Sequence, residues 1–215
     1  MSKNQLLVLG SVLGLVFAGV RFWSIFHEEP AFVPYEDRMG RELAVLVAEA
    51  VEPGKVVVLL PDFDGLSSPI QEARFEGVKT VLRQQGEGWL VEAALVQTDP
   101  MVAQTGGDVF TAAEFLKVVE AHSDAVAIVS LVGPPGGHKA LRKAWGQDEG
   151  ARPAVVVMAV FDESLGPLLR SGIVDAVIAP RHKRDETFDF DSYEDPYEAR
   201  FHLEYEIRRA PETSK

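Results

Sequence analysis

The chain has 215 residues, of which 47% are hydrophobic and 25% are charged, and this is the composition of a folded globular protein. Its net charge of −12 argues against general binding to nucleic acid, which needs a positive surface, and against docking of the folded part on anionic lipid. Because the chain has no cysteine, disulfide scaffolds, cysteine-based zinc sites, thiol catalysis and Fe–S clusters are excluded.

Residues 1–26 predict a transmembrane anchor. Residues 6–26 are almost entirely apolar, with Arg21 as the only charge, and they have about the length of a helix that spans a bilayer. A cleaved signal peptide is the alternative, since Ala18 ends a tolerable cleavage site. A short tail before a first apolar segment usually acts as a signal anchor. We therefore expect a single-pass membrane protein whose soluble domain lies outside the cytoplasm, in the periplasm.

Gly10, Gly14 and Ala18 recur at every fourth position of this apolar segment. Small residues at that spacing let membrane helices approach closely, so these three residues are candidates for a helix-packing face. The alternative is that glycine and alanine are simply common in membrane helices. The acidic, proline-containing segment 27–36 is interpreted as a linker.

Residues 37–180 predict an α/β domain in which buried strands alternate with amphipathic helices, an alternation typical of a doubly wound sheet. We expect a five-stranded parallel sheet with residues 56–60, an unbroken apolar run, as its central strand. Ser68 with Gln71, and Thr111 with Glu114, have the spacing of helix capping boxes. Strands are predicted at 56–60, 90–96, 125–132, 154–160 and 174–179, and helices at 37–50, at 69–85, from 111 onward, at 139–145 and at 164–170.

Residues 181–215 predict an acidic and aromatic C-terminal extension. Within it Phe201, Leu203, Tyr205 and Ile207 alternate with polar residues, which predicts an edge strand with one buried face.

The segment 187–197 of this extension combines aromatic and acidic residues. One interpretation is a surface loop whose rings cover a sheet edge. The other is a partner-binding segment, in which aromatic side chains anchor and acidic ones select a basic surface. Its candidate partner-binding residues are Phe188, Phe190 and Tyr193, with Asp189 and Asp191 at the rim.

Three stretches carry a family resemblance: Val-Val-Val-Leu-Leu-Pro-Asp-Phe-Asp at 56–64, Asp-Ala-Val-Ala-Ile-Val at 124–129, and Ser-Gly-Ile-Val-Asp-Ala-Val-Ile at 171–178. With them, residues 54–180 resemble one lobe of the type I periplasmic-binding-protein fold, the fold of sugar receptors and related repressors. The resemblance implies a lobe of the solute-binding type. The family's Asn-Pro-aromatic ligand loop does not follow Asp62, and the length corresponds to one lobe of a two-lobed clamp.

Asp62, Asp64 and Asp99 are the candidate ligand-binding residues. Asp62 and Asp64 follow the first predicted strand and Asp99 follows the second, and ligands of open α/β sheets sit beyond such strand ends. The carboxylates could accept hydrogen bonds from ligand hydroxyls or hold a divalent cation; alternatively they serve as turn and capping groups. No metal site is predicted, because the histidines lack metal-ligand spacing.

Residues 133–139, Gly-Pro-Pro-Gly-Gly-His-Lys, lack the spacing of a phosphate loop, and Ala140 stands where that loop needs Ser or Thr. A rigid loop is the favoured interpretation, although a helix that begins after Gly137 can accept an anion at its N-terminus.

These observations favour a membrane-anchored, non-catalytic interaction or assembly subunit of a larger membrane complex. The alternative is an extracytoplasmic solute- or ligand-binding sensor lobe related to periplasmic binding proteins, with a small-molecule ligand. Neither interpretation involves an enzyme or a cofactor. The expected partners are the membrane and other membrane-protein subunits, and no nucleic acid.

Overall fold

The computed structural model describes residues 33–62, 68–97, 110–145, 152–159, 165–181, 192 and 194–211. All of them except Val33 belong to one unit, Pro34–Lys215. The elements are, in chain order, α1 (Val33–Ala50), β1 (Lys55–Asp62), α2 (Pro69–Gln84), β2 (Leu90–Gln97), α3 (Ala112–Ala121), β3 (Ala125–Ser130), α4 (His138–Trp145), β4 (Ala154–Met158), α5 (Leu165–Arg170), β5 (Ala176–Pro180), α6 (Pro196–Glu204) and β6 (Tyr205–Arg209).

The strands form one six-stranded sheet in the order β2-β1-β3-β4-β5-β6. The first five strands are parallel, and β6 pairs antiparallel with β5 at the edge. The predicted α/β fold with a parallel sheet is therefore confirmed. The expectation that residues 56–60 form the central strand is wrong, because β1 lies one strand in from the edge. An unbroken apolar run shows only that both faces of a strand are covered, which holds for any interior strand.

Two hydrophobic cores lie on opposite faces of the sheet, and β1 contributes to both. Val56 and Val58 face the core formed with α1, α2 and α6. Val57 and Leu59 face the core formed with α3, α4 and α5. All four side chains are fully buried, and burial of each contributes about 1.5–3 kcal/mol relative to an exposed side chain.

Helices α1 and α2 pack so closely that only glycine fits at two positions. A Cβ atom on Gly40 would lie 1.9 Å from the carbonyl oxygen of Arg74, and one on Gly77 would lie 2.3 Å from that of Asp37. The Arg74 Nε also donates a 2.6 Å hydrogen bond to Glu36 at this contact. The helix α1 begins at Val33, within the segment interpreted above as a linker.

The capping box at Thr111 is confirmed. The Thr111 amide donates to the Glu114 carboxylate at 2.9 Å, and the Glu114 amide donates to the Thr111 hydroxyl at 3.3 Å. The box predicted at Ser68 and Gln71 is wrong: Ser68 occupies the N-cap position of α2, but its side chain makes no capping hydrogen bond. The extended backbone of Ser68 and the proline that follows it begin this helix without the side chain.

The C-terminal edge strand exists but begins at Tyr205, and Phe201 lies in α6. Asp195 caps this helix by accepting a 2.9 Å hydrogen bond from the Tyr197 amide, and Pro196 starts it. Phe201 is fully buried four residues after Tyr197. Residues four positions apart share a face in a helix and also in a strand. The spacing of Tyr197 and Phe201 therefore fits either element.

No helix within the described ranges is both long and apolar enough to cross a membrane. The predicted anchor, residues 1–26, lies outside those ranges.

Candidate functional site

The carboxyl ends of the five parallel strands meet at one edge of the sheet, which we call the carboxyl edge. Since β1 lies between β2 and β3, the chain moves outward from β1 to β2 and then returns past β1 to β3. Helix α2, which follows β1, packs on one face of the sheet, and α4, which follows β3, packs on the other. Their divergence opens a crevice at such a reversal, and ligands of doubly wound folds bind there. The strand ends are Asp62, Gln97, Ser130, Met158 and Pro180.

Asp62 is the one candidate ligand-binding residue that the structure describes. It is the last residue of β1, is partly buried, and pairs in register with Gln97 of β2. This position lies beside the strand-order reversal. Asp64 and Asp99 lie outside the described residues, so the predicted grouping of the three aspartates stays a prediction.

The loop after β3 is held in place by its own hydrogen bonds. The hydroxyl of the fully buried Ser130 donates to the Gly133 carbonyl at 2.6 Å. The Gly136 amide donates to the Phe110 carbonyl at 2.7 Å, which ties this loop to the start of α3. Gly133 and Gly137 have φ values of +113° and +71°, which only glycine adopts readily. The loop therefore forms a fixed wall of the carboxyl edge, a role for Ser130 that sequence reasoning did not predict.

A buried acceptor lies near the start of α2. The Gln71 side-chain oxygen is buried, and within the described part of the chain it has no hydrogen-bond partner. A buried unpaired polar atom costs about 1–3 kcal/mol, so a donor that reached it would be stabilising. Gln71 lies in the first turn of α2, the helix that directly follows β1 in the chain.

A second concavity, of about 260 Å³, lies between the N-terminal parts of α1 and α6. Three of its charged residues form ion pairs: Arg38 contacts Glu42 at 2.6 Å and Glu198 at 2.8 Å, and Arg41 contacts Asp37 at 2.6 Å. The Arg38–Glu198 pair joins α1 to α6, and the other two pairs lie within α1. The lining residues are Pro34, Asp37, Arg38, Arg41, Asp195 and Tyr197.

Two tyrosines beside this helix contact have raised pKa values. Burial, and the 2.8 Å hydrogen bond that Tyr35 donates to Glu204, raise the pKa of Tyr35 well above its ordinary value of 10.0. Burial also raises the pKa of Tyr205. Both groups therefore stay protonated in the folded protein at pH values that ionise an exposed tyrosine.

The opposite, amino edge of the sheet carries an ion pair. The hydrogen bond from the Lys55 ammonium to Asp124, at 3.1 Å, lowers the pKa of Asp124 and raises that of Lys55. Glu92 of β2 also contacts Lys55 at 3.1 Å.

Within the part of the chain that the structure describes, no group of three or more histidine, aspartate or glutamate residues could hold a metal ion. The partner-binding candidates Phe188, Asp189, Phe190, Asp191 and Tyr193 lie outside that part, as do the helix-packing candidates Gly10, Gly14 and Ala18.

No protein-family model matches the chain, and no curated protein does. Solved structures do resemble it. A carbohydrate transporter solute-binding protein from Agrobacterium radiobacter, in complex with D-arabinose, has 16% identity and a TM-score of 0.50. That comparison covers 84% of this chain and 61% of the other. The chain shares the fold of one lobe of a type I periplasmic binding protein, and the resemblance inferred from the sequence is confirmed.

Two further similar structures are an ABC transporter solute-binding protein from Burkholderia graminis, in complex with D-arabinose, and a periplasmic ribose ABC transporter from Conexibacter woesei. The first has 17% identity and a TM-score of 0.48, and the comparison covers 67% of this chain and 47% of the other. The second has 20% identity and a TM-score of 0.47, with 67% and 45% covered. The chain thus spans about half the length of the solved proteins it resembles.

Proposed function

We propose that this chain is a ligand-binding sensor lobe that takes a small hydrophilic solute at its carboxyl edge. The observation that carries the proposal is the strand-order reversal between β1 and β3, with Asp62 at the end of β1 and the hydrogen-bonded Ser130–Gly133 loop at the end of β3. A doubly wound sheet offers its ligand crevice at this position.

The polar groups near this edge favour a solute that donates hydrogen bonds and carries no negative charge. Asp62 and the buried Gln71 oxygen are acceptors, and the sequence adds the carboxylates of Asp64 and Asp99. Several carboxylates close together would repel an anion but would accept hydrogen bonds from hydroxyl groups. A sugar or another polyhydroxylated compound has that chemistry. D-arabinose occupies the similar solute-binding protein from Agrobacterium radiobacter.

One lobe can cover only one side of such a solute. Small-molecule sites bury roughly 70–90% of their ligand, so tight binding needs a second surface opposite the carboxyl edge. We propose that a second lobe closes over this edge, wherever that lobe is encoded. The isolated lobe would then bind its solute weakly.

Membrane attachment is the second part of the proposal and rests on the sequence. The apolar segment 6–26 would hold the lobe at the outer face of a membrane, as a sensor or as a subunit of a membrane complex. N-terminal sequencing of the mature protein tests this. An intact N-terminus in the membrane fraction supports an anchor, whereas a mature chain that begins at Gly19 contradicts it.

A thermal-shift screen of the full chain with pentoses, hexoses, amino acids and divalent cations tests the ligand. A ligand that binds only the folded state stabilises it by about 2.7 kcal/mol at 100 times its Kd. We expect a sugar to raise the melting temperature, and Asp64→Asn to abolish the rise.

Asp124→Asn is the matched control, because it removes an aspartate at the amino edge, 3.1 Å from Lys55. It should lower the melting temperature of the free protein slightly and preserve the rise with sugar. A screen without any shift, or equal shifts in both variants, would contradict solute binding at the carboxyl edge.

A further inference from the structure

The outer edge of β2 exposes apolar side chains on a long strand. β2 has eight residues, Leu90–Gln97, and bonds to β1 on one side. Among the described residues, no strand pairs with its other side. Leu90 is 55% exposed and Leu95 is 68% exposed. An exposed apolar edge of this length is a ready template for another strand.

The backbone of β2 presents a regular set of bonding groups outward. The Leu90 amide donates to the Gly54 carbonyl at 3.1 Å, so Leu90 directs its bonding groups towards β1. Bonding direction alternates along a strand. Val91, Ala93 and Leu95 therefore direct their N–H and C=O groups to the outside.

No charged side chain of β2 itself obstructs this edge. Glu92 is the single charged residue of β2, and its carboxylate is 3.1 Å from Lys55 and 4.0 Å from His122. The strand contains no lysine and no proline, the residues with which edge strands usually prevent pairing. Another strand could approach without leaving a charge unpaired.

We propose that β2 pairs antiparallel with β2 of a second copy of this chain, about a two-fold axis perpendicular to the sheet. Such an axis places equivalent side chains of the two copies on the same face of the joined sheet. The axis can then pass beside Glu92, Ala93 or Ala94. In each case that residue lies opposite the same residue of the other copy.

The sequence of β2 selects Ala93 as the centre. Centring on Glu92 would place two like charges directly opposite each other, which is destabilising. Centring on Ala94 would place Val91 opposite the polar Gln97 of the other copy.

Centring the register on Ala93 places apolar side chains of one copy opposite apolar side chains of the other. Val91 then lies opposite Leu95 of the other copy, and Leu90 lies opposite Val96. Both exposed leucines are covered. Val91, Ala93 and Leu95 exchange hydrogen bonds with the residues opposite them, because these residues direct their bonding groups outward.

This dimer is distinct from a ligand clamp. In the antiparallel pair the carboxyl edges of the two copies point in opposite directions, so each copy keeps its own site open to a second lobe. The proposal goes beyond solute binding and does not depend on it.

A single-cysteine variant tests the register directly, because the chain has no cysteine of its own. Ala93 meets its own copy at the axis, with a Cα separation of about 5.5 Å in a hydrogen-bonded pair, which suits a disulfide. We expect Ala93→Cys in the full chain to form a disulfide-linked dimer rapidly on mild oxidation.

Ala50→Cys is the matched control, since Ala50 is an exposed alanine at the end of α1. Equal rates of cross-linking for the two variants would overturn the proposal.

Sedimentation of the full chain gives the second measurement. We expect Leu95→Lys to raise the dimer dissociation constant at least about tenfold, because each dimer contains the substitution twice. Val45→Lys, at an exposed valine of α1, should leave it unchanged. A wild-type chain that stays monomeric up to its solubility limit, or equal effects of the two lysines, would overturn the proposal and leave this edge to a different partner.

Discussion

Arg152 and Asp175 form a bidentate ion pair that links the N-terminal ends of β4 and β5. The two guanidinium nitrogens, Nη1 and Nη2, each lie 2.8 Å from a carboxylate oxygen. The same carboxylate accepts a 2.7 Å hydrogen bond from the Val155 amide. Asp175 belongs to a stretch that carries the family resemblance, and its role here is to position two neighbouring strands.

Asp175→Ala should destabilise the domain by about 1–3 kcal/mol, because the Val155 amide loses this acceptor and the Arg152 guanidinium keeps only the Pro153 carbonyl. Urea unfolding followed by circular dichroism measures the change. Asp124→Ala is the control, since Asp124 is 70% exposed beside Lys55, and its effect should be smaller. Comparable losses of unfolding free energy in the two variants would show that the N-terminal ends of β4 and β5 do not depend on Asp175.

Gly77→Ala should destabilise by about 1–3 kcal/mol, because the new methyl group must push α1 and α2 apart. Its Cβ would lie 2.3 Å from the Asp37 carbonyl oxygen, which is backbone and cannot move alone. Gly166→Ala, in α5, is the control: its Cβ would meet the mobile end of Arg170 at 3.0 Å. Thermal unfolding should show a clear loss for Gly77→Ala and little change for Gly166→Ala. A stable Gly77→Ala protein would contradict the close helix contact.

Stability should fall as the pH rises through and above 10.0, the ordinary pKa of tyrosine. The unfolded chain then releases the Tyr35 proton while the folded protein retains it, so the unfolded state becomes relatively more favourable. Tyr205 acts in the same direction.

Tyr35→Phe should reduce this alkaline loss of stability. At neutral pH the same substitution should cost about 1 kcal/mol through the lost hydrogen bond to Glu204. Urea unfolding of both proteins at neutral pH and above pH 10.0 provides the comparison. An equal alkaline loss in the two proteins would mean that Tyr35 does not contribute to it.

The segment 187–197 can be tested as a partner-binding surface. If Phe188 and Phe190 anchor the chain in a membrane complex, replacing both with serine should release it while its melting temperature stays nearly unchanged. Co-purification from native membranes measures the release. A double mutant that unfolds would assign the rings to the protein's own core, and one that stays assembled would place the interface elsewhere.

The sequence by itself determined which segments become strands. Five apolar runs of strand length predict five strands. Four of them lie in the interior of the sheet, where an apolar segment is covered on both faces. The run at 90–96, which Glu92 interrupts, forms the exposed edge strand β2. The Thr111–Glu114 spacing likewise determined the start of α3, because a capping box is a contact within a few residues. Asp62 could be placed at a strand end for the same local reason.

Only the tertiary structure decided the order of the strands and the meaning of ambiguous spacings. The position of β1 beside β2 and β3 depends on crossovers between segments far apart in sequence, and no local pattern encodes it. Phe201 could face a core from a helix or from a strand, and the cap at Asp195 decided for the helix. The contact of Gly77 with Asp37 likewise exists only once two helices meet, because a glycine's neighbours across a contact cannot be read along the chain.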